Sequence, residues 1–277
     1  IITKRFIKHL EGVAKNETET YEKFWRTFSR YIKEGVVTSW EHKDALGKLL
    51  RFESTFTEPG KLTSFEDYVS RMKENQKDIY VLYGASRSQL ENSPYLDALK
   101  ARGFEVGFFT EGGDQFVVES LMKFGEKEIK SIDRAGLELP PLEAQPDQPG
   151  LDETEAEGLT TWVSDTFKDR FSKVSTSDRV TSAPAIALQG EGDISPEIKA
   201  YLRAMGQEIP ETHPEIAFNP HNPIVMKLAE LRSKDEELAT LLADQLINTA
   251  LLRAGMLEDP AKLADNSQAL LEKLLNK

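Results

Sequence analysis

The stretch Glu236-Glu-Leu-Ala-Thr-Leu-Leu-Ala-Asp-Gln-Leu-Ile-Asn-Thr-Ala-Leu-Leu-Arg253 decides how this chain reads. As a helix it carries Leu238, Leu241, Leu242 and Leu246 on one side, and Ile247, Ala250 and Leu251 over much of the other. A helix that is apolar nearly all round is buried on more than one face. Gly255 is a natural C-cap behind it, and Asp259-Pro260 starts another helix with an N-cap residue and proline at the first helical position. Asn222-Pro223 gives the same start signal upstream. The final helix has a cleaner stripe of Leu263, Leu270, Leu271, Leu274 and Leu275. The pair reads as an antiparallel hairpin lying on its own domain on one side and on a second copy on the other. Two such hairpins make a four-helix bundle about a two-fold axis. The same periodicity also fits a helical core closed within one monomer, because pattern does not identify the partner.

At 277 residues the chain has room for two domains, each with its own core. Hydrophobic residues at 39 % and charged residues at 30 % describe a heavily solvated surface. No apolar run approaches the roughly 20 residues needed to cross a bilayer, so no membrane partner is expected. A net charge of −12 argues against a broad nucleic-acid surface. The absence of cysteine excludes disulfides, thiol catalysis and thiolate zinc sites, and fits a reducing compartment. The chain opens on Ile1 rather than Met, which suggests a fragment or a processed chain.

Taken in order, Ile2, Phe6, Ile7, Leu10 and Val13 predict an amphipathic first helix. A second begins near Glu19 with an aromatic stripe of Tyr21, Phe24, Trp25, Phe28 and Tyr31, read as core, and is expected to close at Gly35. His42–Phe52 reads as a third helix, and Glu53–Lys61 as a loop. From Leu62 helices alternate with short apolar runs at Ile79–Tyr83 and Phe104–Phe109 and with a third, more polar strand at Glu128–Ile132, which predicts a small parallel sheet with right-handed crossovers. Between Ala135 and Phe167 there is no Lys or Arg, and prolines cluster in the first half. Helix resumes near Glu153–Phe171. Val174–Val180 and Ala185–Leu188 read as strands joined by a turn, with Glu215–Phe218 as a third. The expected class is therefore α/β and α+β. Helices over 1–55 lead into a three-layer α/β subdomain over 62–138, which together form a first domain 1–138. An acidic Pro-rich linker follows over 139–152, then a mixed α+β domain over 153–277 ending in the helical hairpin.

One short helix stands apart. Ser195-Pro196 starts it, Ile198, Tyr201, Leu202 and Met205 fall at helical spacing with Ile194 just ahead, and Gly206 ends it. Gly190, Gly192 and Asp193 on one side and Pro210 and Pro214 on the other make flexible tethers. Its apolar face is either core or an adaptable surface for partner polypeptides. Catalytic signatures do not accumulate. Gly84-Ala85-Ser86 after Tyr83 lacks the spacing of a dinucleotide or phosphate loop. Two S-x-x-K matches, at Ser70–Lys73 and Ser120–Lys123, have no accompanying K-T-G. His9, His42, His213 and His221 are scattered without metal-site spacing. No catalytic, cofactor or metal residue is assigned. The alternative in another class is a small α/β enzyme or nucleotide-binding domain using the sheet at 79–132.

The runs Lys48-Leu-Leu-Arg-Phe-Glu-Ser54, Leu62-Thr-Ser-Phe-Glu-Asp-Tyr-Val-Ser-Arg-Met-Lys73, Ile79-Tyr80 and Ser93-Pro-Tyr95 resemble the ninety-kilodalton heat-shock chaperone family. The likeness continues through Asn219-Pro-His221 and Leu257-Glu-Asp-Pro260, and is closest to its bacterial HtpG and mitochondrial branches. It implies the later part of that family's middle domain followed by its C-terminal dimerisation domain. The ATP-binding domain, with its ATP and magnesium, and the segment bearing the phosphate-reaching arginine would belong to the full-length parent, so this stretch would hydrolyse nothing and hold no cofactor. The resemblance further implies a stress-response chaperone that binds unfolded or partly folded client proteins as a homodimer. Leu238, Leu241, Leu242, Leu246, Leu263, Leu270, Leu271 and Leu274 would form the dimer interface. Ile194, Ile198, Tyr201, Leu202 and Met205 would contact clients, with Phe116 where HtpG has a client-contacting tryptophan. The end at Asn276-Lys277 lacks the acidic tail read by some co-chaperones, so those partners are not expected. A bacterial cytoplasm, or else an organellar matrix, is the implied location.

Overall fold

The computed structural model describes residues 2–141, 149–190, 193–208 and 213–275, apart from the side chains of Glu197, Ala200 and Tyr201. The middle of the expected linker, 142–148, and the tether residues Gly192 and Pro210 lie outside the described residues. The protein is a mixed α/β chain with helices and two small sheets, in two compact units: 1–92 with 102–132, and 93–101 with 133–277.

The first unit opens with α1 (Ile2–Asn16), α2 (Thr18–Thr38) and α3 (Lys43–Gly47). Gly35 does not close α2. It sits inside the helix, where a Cβ would come 2.8 Å from Leu46 Cδ1, so its glycine serves close packing of α2 on α3. Nor does a helix run from His42 to Phe52. α3 stops after five residues because Phe52 exchanges backbone hydrogen bonds with Thr63, at 3.1 and 2.7 Å, and this draws the chain into extended structure. Leu49 and Leu50 are buried all the same. The aromatic stripe of α2 is core only in part: Tyr21 and Trp25 are buried, while Phe28 and Tyr31 are exposed.

β1 (Glu53–Ser54), α4 (Phe65–Arg71), β2 (Ile79–Tyr83), α5 (Arg87–Glu91), α6 (Asp97–Arg102), β3 (Val106–Phe109), α7 (Asp114–Leu121), β4 (Lys123–Phe124) and β5 (Lys127–Ser131) follow in the chain, α6 belonging to the second unit up to Ala101. The sheet order is β1-β3-β2-β5-β4. β2 pairs in parallel with both β3 and β5, as the alternation of strands and helices predicts, and the edges β1 and β4 are antiparallel additions. Both edge strands have two residues, too short to carry a periodic signal. Phe52, Phe65 and Phe109 pack with ring centroids 4.6 and 5.0 Å apart beneath the sheet.

Tyr21 ties the helices to the turn before β1. Its hydroxyl donates to the Leu49 carbonyl at 2.6 Å, and the Arg51 guanidinium lies 4.6 Å from its ring centroid. Burial pushes the phenol up to about 12, with Arg51 opposing. The folded state therefore holds this proton more tightly than the unfolded chain, whose tyrosines titrate near 10. The associated stability is whole below pH about 10 and is lost as pH rises towards 12. Tyr21→Phe is expected to flatten the fall in urea midpoint between those pH values. An unchanged slope would remove Tyr21 from the alkaline transition.

The second unit contains α8 (Glu153–Thr166), β6 (Lys173–Thr176), β7 (Ala185–Leu188), α9 (Pro196–Ala204), β8 (Glu215–Phe218), α10 (Pro223–Leu231), α11 (Glu236–Arg253) and α12 (Pro260–Leu275). Asp152 and Glu155 form a capping box at the start of α8. β6 and β7 are not neighbours joined by a turn. β8 lies between them, parallel to β6 and antiparallel to β7. Asn219 sets the turn after β8: its amide donates to the carbonyls of Thr181 and Ala183, at 3.1 and 3.4 Å, and its Oδ1 accepts from the His221 N–H. Tyr95 donates its hydroxyl to the Ala187 carbonyl, fastening the segment 93–101 to β7. Leu159, Val163, Ile216, Phe218, Val225 and Ile247 build the core.

Candidate functional site

α11 starts where Asp235 accepts a hydrogen bond from the Leu238 N–H at 3.1 Å, with Glu236 and Glu237 in the first turn. Its buried face includes Ala239, Ala243 and Ala250, whose small side chains let the helix approach the core closely. α12 covers part of the opposite side. Leu241, Leu242 and Leu246 on α11 and Leu263 and Leu270 on α12 are half-buried, whereas Leu238 is already buried by this chain alone. Beyond that seam α12 leaves Leu271, Leu274 and Leu275 exposed at 61, 59 and 84 %, with Leu252 of α11 exposed as well. Arg170 braces α11 from below. Its guanidinium reaches Asp244 at 2.7 Å and Asn248 at 2.8 Å, and lies over the rings of Phe167 and Phe171.

α9 has the ends its sequence announces. Ser195 Oγ accepts from the Ile198 N–H at 3.2 Å. Gly206 takes φ +70°, a conformation that favours glycine, and lets the Gln207 N–H return to the Leu202 carbonyl at 3.0 Å. Ile194, Ile198 and Leu202 are half-buried and Met205 is exposed; the Tyr201 side chain lies outside the described residues. Ile194, Pro196, Lys199 and Arg203 border a cavity of about 710 Å³ whose other wall includes Arg170, Asp244 and Leu251.

Phe116 belongs to the first unit, on α7, and is 40 % exposed. α7 is anchored at its start: Asp114 accepts from the Glu111 N–H at 3.0 Å and pairs with Lys33 of α2 at 2.6 Å. Burial raises the Asp114 carboxyl above its usual range, with Lys33 opposing. Among the described residues there is no group of three or more His, Asp or Glu placed to hold a metal ion, and no helix long and apolar enough to cross a membrane. Of the two S-x-x-K pairs, Ser70 donates to the Asp67 carbonyl and Lys73 to the Arg102 carbonyl, so the two side chains are engaged elsewhere. Sequence reasoning missed Arg170 and Asn266, two polar residues that position the hairpin. Neither stands in a motif, and only the tertiary contact shows what each does.

The Hsp90 protein family model matches residues 1–277. The chain belongs to the Hsp90 family. It is similar to the Chaperone protein HtpG of Desulfotalea psychrophila (strain LSv54 / DSM 12343), 34 % identical over 285 residues, which covers 100 % of this chain and 46 % of that protein. The Chaperone protein HtpG of Shewanella halifaxensis (strain HAW-EB4) is 37 % identical over 264 residues, 94 % of this chain and 41 % of the relative. That of Desulfitobacterium hafniense (strain Y51) is 33 % identical over 277 residues, 99 % and 45 % respectively. The chain thus spans a little under half the length of these curated Hsp90 relatives. The family implied by the runs at 48–54 and 62–73 is the family found.

Proposed function

We propose that this chain is the dimerisation and client-binding part of an HtpG-like chaperone. α11 and α12 join two copies, and α9 offers an apolar face to unfolded polypeptides, with Phe116 as a further contact. ATP and magnesium are assigned to other parts of the parent, and no catalytic step is assigned to this stretch. The observation that carries the reading is the row of exposed leucines on α12, set on a hairpin in a member of this family. Leucines that remain in water at the end of a folded hairpin mark a surface to be covered.

The client-binding half of the reading is tested on α9. Met205 is exposed, so Met205→Ala is expected to change stability by less than about 0.5 kcal/mol. Leu202 is half-buried, so Leu202→Ala should cost about 1 kcal/mol, below the ~2–5 kcal/mol of a fully buried leucine. The double variant is expected to suppress aggregation of a thermally unfolding enzyme less well than the parent, by light scattering at equal concentration. Full suppression together with a large loss of melting temperature would make α9 an ordinary core helix.

A further inference from the structure

The seam between α11 and α12 contains one polar knot. Asn266, 8 % exposed, is the buried residue of α12 among those described. Its Nδ2 donates to the Leu241 carbonyl at 3.0 Å and to Gln245 Oε1 at 3.2 Å. Ser267 Oγ lies 3.2 Å from the same Gln245 oxygen and 2.8 Å from the Leu263 carbonyl. The half-buried side chains of the two helices include Leu241, Leu242, Leu246, Leu263 and Leu270. On α11 leucines recur every four residues at 238, 242 and 246; on α12 Leu263 and Leu270 are a heptad apart. Sliding one helix past the other by a turn, about 5.4 Å, would still bring leucine against leucine. Dispersion and burial therefore discriminate poorly between registers.

We infer that Asn266, with Gln245 and Ser267, is a register lock that selects which leucines the hairpin presents. In the observed register the Asn266 amide has both of its acceptors. One turn away it would be left in the apolar seam without them, and a buried polar group without a partner is disfavoured far more than a made hydrogen bond is favoured. A single buried asparagine fixes alignment in this way in paired helices, at some cost in stability. The second tie, Lys273 to Asp235 at 3.8 Å and to Glu237, cannot substitute for it, because a long flexible ammonium side chain tolerates displacement. The inference rests on the dimer reading in one respect: the position of α12 on α11 fixes where Leu271, Leu274 and Leu275 stand relative to Leu252 of α11, and so the face that a second copy would meet.

The test removes both amides together, Gln245→Leu with Asn266→Leu, so that no orphan polar group remains and the hairpin still folds. The chain has no cysteine, so spin labels can be placed at Glu236→Cys and Glu272→Cys, both exposed positions. Labelled chains are mixed with excess unlabelled chain so that only distances within one chain are read. The parent is expected to give one narrow distance. The leucine variant is expected to give a second distance population and, by sedimentation, more than one associated species, with a melting temperature no lower than the parent's. One narrow distance in the variant, identical to the parent's, overturns the lock. A parent that sediments as a monomer would defeat the dimer reading instead, and the distance measurement still decides the register within the monomer.

Discussion

A chain ended at Glu258, without α12, is expected to sediment as a monomer at micromolar concentration, where the 277-residue chain sediments as a dimer. Burying a leucine fully contributes about 1.5–3 kcal/mol, and Leu252, Leu271, Leu274 and Leu275 are the largely uncovered ones. Two copies bring eight such side chains together. Full burial of all eight gives a gross gain of about 12–24 kcal/mol, which reaches the roughly 8 kcal/mol of a micromolar complex when the association cost lies near the lower end of about 4–15 kcal/mol. Removing α12 deletes three of the four from each copy and uncovers Leu242 and Leu246, so a monomer that aggregates is a second outcome of truncation. Leu271→Asp with Leu274→Asp avoids that ambiguity. Both side chains are exposed in the single chain, so the fold should change by less than about 0.5 kcal/mol. A charge placed in an apolar interface has no such tolerance. If the aspartate pair still sediments as a dimer with the parent's melting temperature, the contact between copies lies elsewhere.

How far this could be read in advance depends on where the information is held. The helices α9, α10 and α12 were legible because Ser195-Pro196, Asn222-Pro223 and Asp259-Pro260 precede them as start signals, and α11 because its long apolar run ends before Gly255. The strands β2 and β3 were legible because strands buried on both faces are short apolar runs between helices, while the more polar β5 was legible from its place after α7 in the alternation. The placement of β8 between β6 and β7 was not. Strand order is decided by which faces meet across the core, and Ile216 and Phe218 carry the same alternation whether β8 is central or at an edge. Gly35 misled for a related reason. Glycine ends helices by taking positive φ, but it also admits a neighbouring helix, and only the 2.8 Å approach of Leu46 separates the two uses. At the candidate site the leucines were visible as a stripe. Which of them remain in water was not, because Leu238 and Leu271 are alike in sequence and opposite in exposure.

Glu105 shows the same limit from the polar side, and a large loss of stability is expected of its substitution. It sits between Phe104 and Val106 in a run that reads as an apolar strand, yet it is a carboxylate 3 % exposed. Arg71 of α4 donates to it through Nε at 2.9 Å and Nη2 at 2.8 Å, and Ser54 of β1 donates to the same Oε1 at 2.6 Å. Arg71 also reaches Thr63, and Tyr68 donates its hydroxyl to the Glu105 carbonyl. One side chain thus holds α4, β1 and the start of β3 together. Removing a buried partner costs about 3–5 kcal/mol when the other charge is trapped, but Arg71 is 37 % exposed and can turn to water. We therefore expect Glu105→Ala to lose about 3 kcal/mol, and Glu105→Gln, which keeps an acceptor for Ser54 without the charge, about half of that. Urea unfolding followed by tryptophan fluorescence in a Trp162→Phe background reports on this unit, since Trp25 and Trp40 lie in it and Trp162 lies in the second. A loss of under about 1 kcal/mol for Glu105→Ala would mean that Arg71 and Ser54 find water as readily as they found the carboxylate, and that the aromatic layer of Phe52, Phe65 and Phe109 holds β1 and α4 in place unaided.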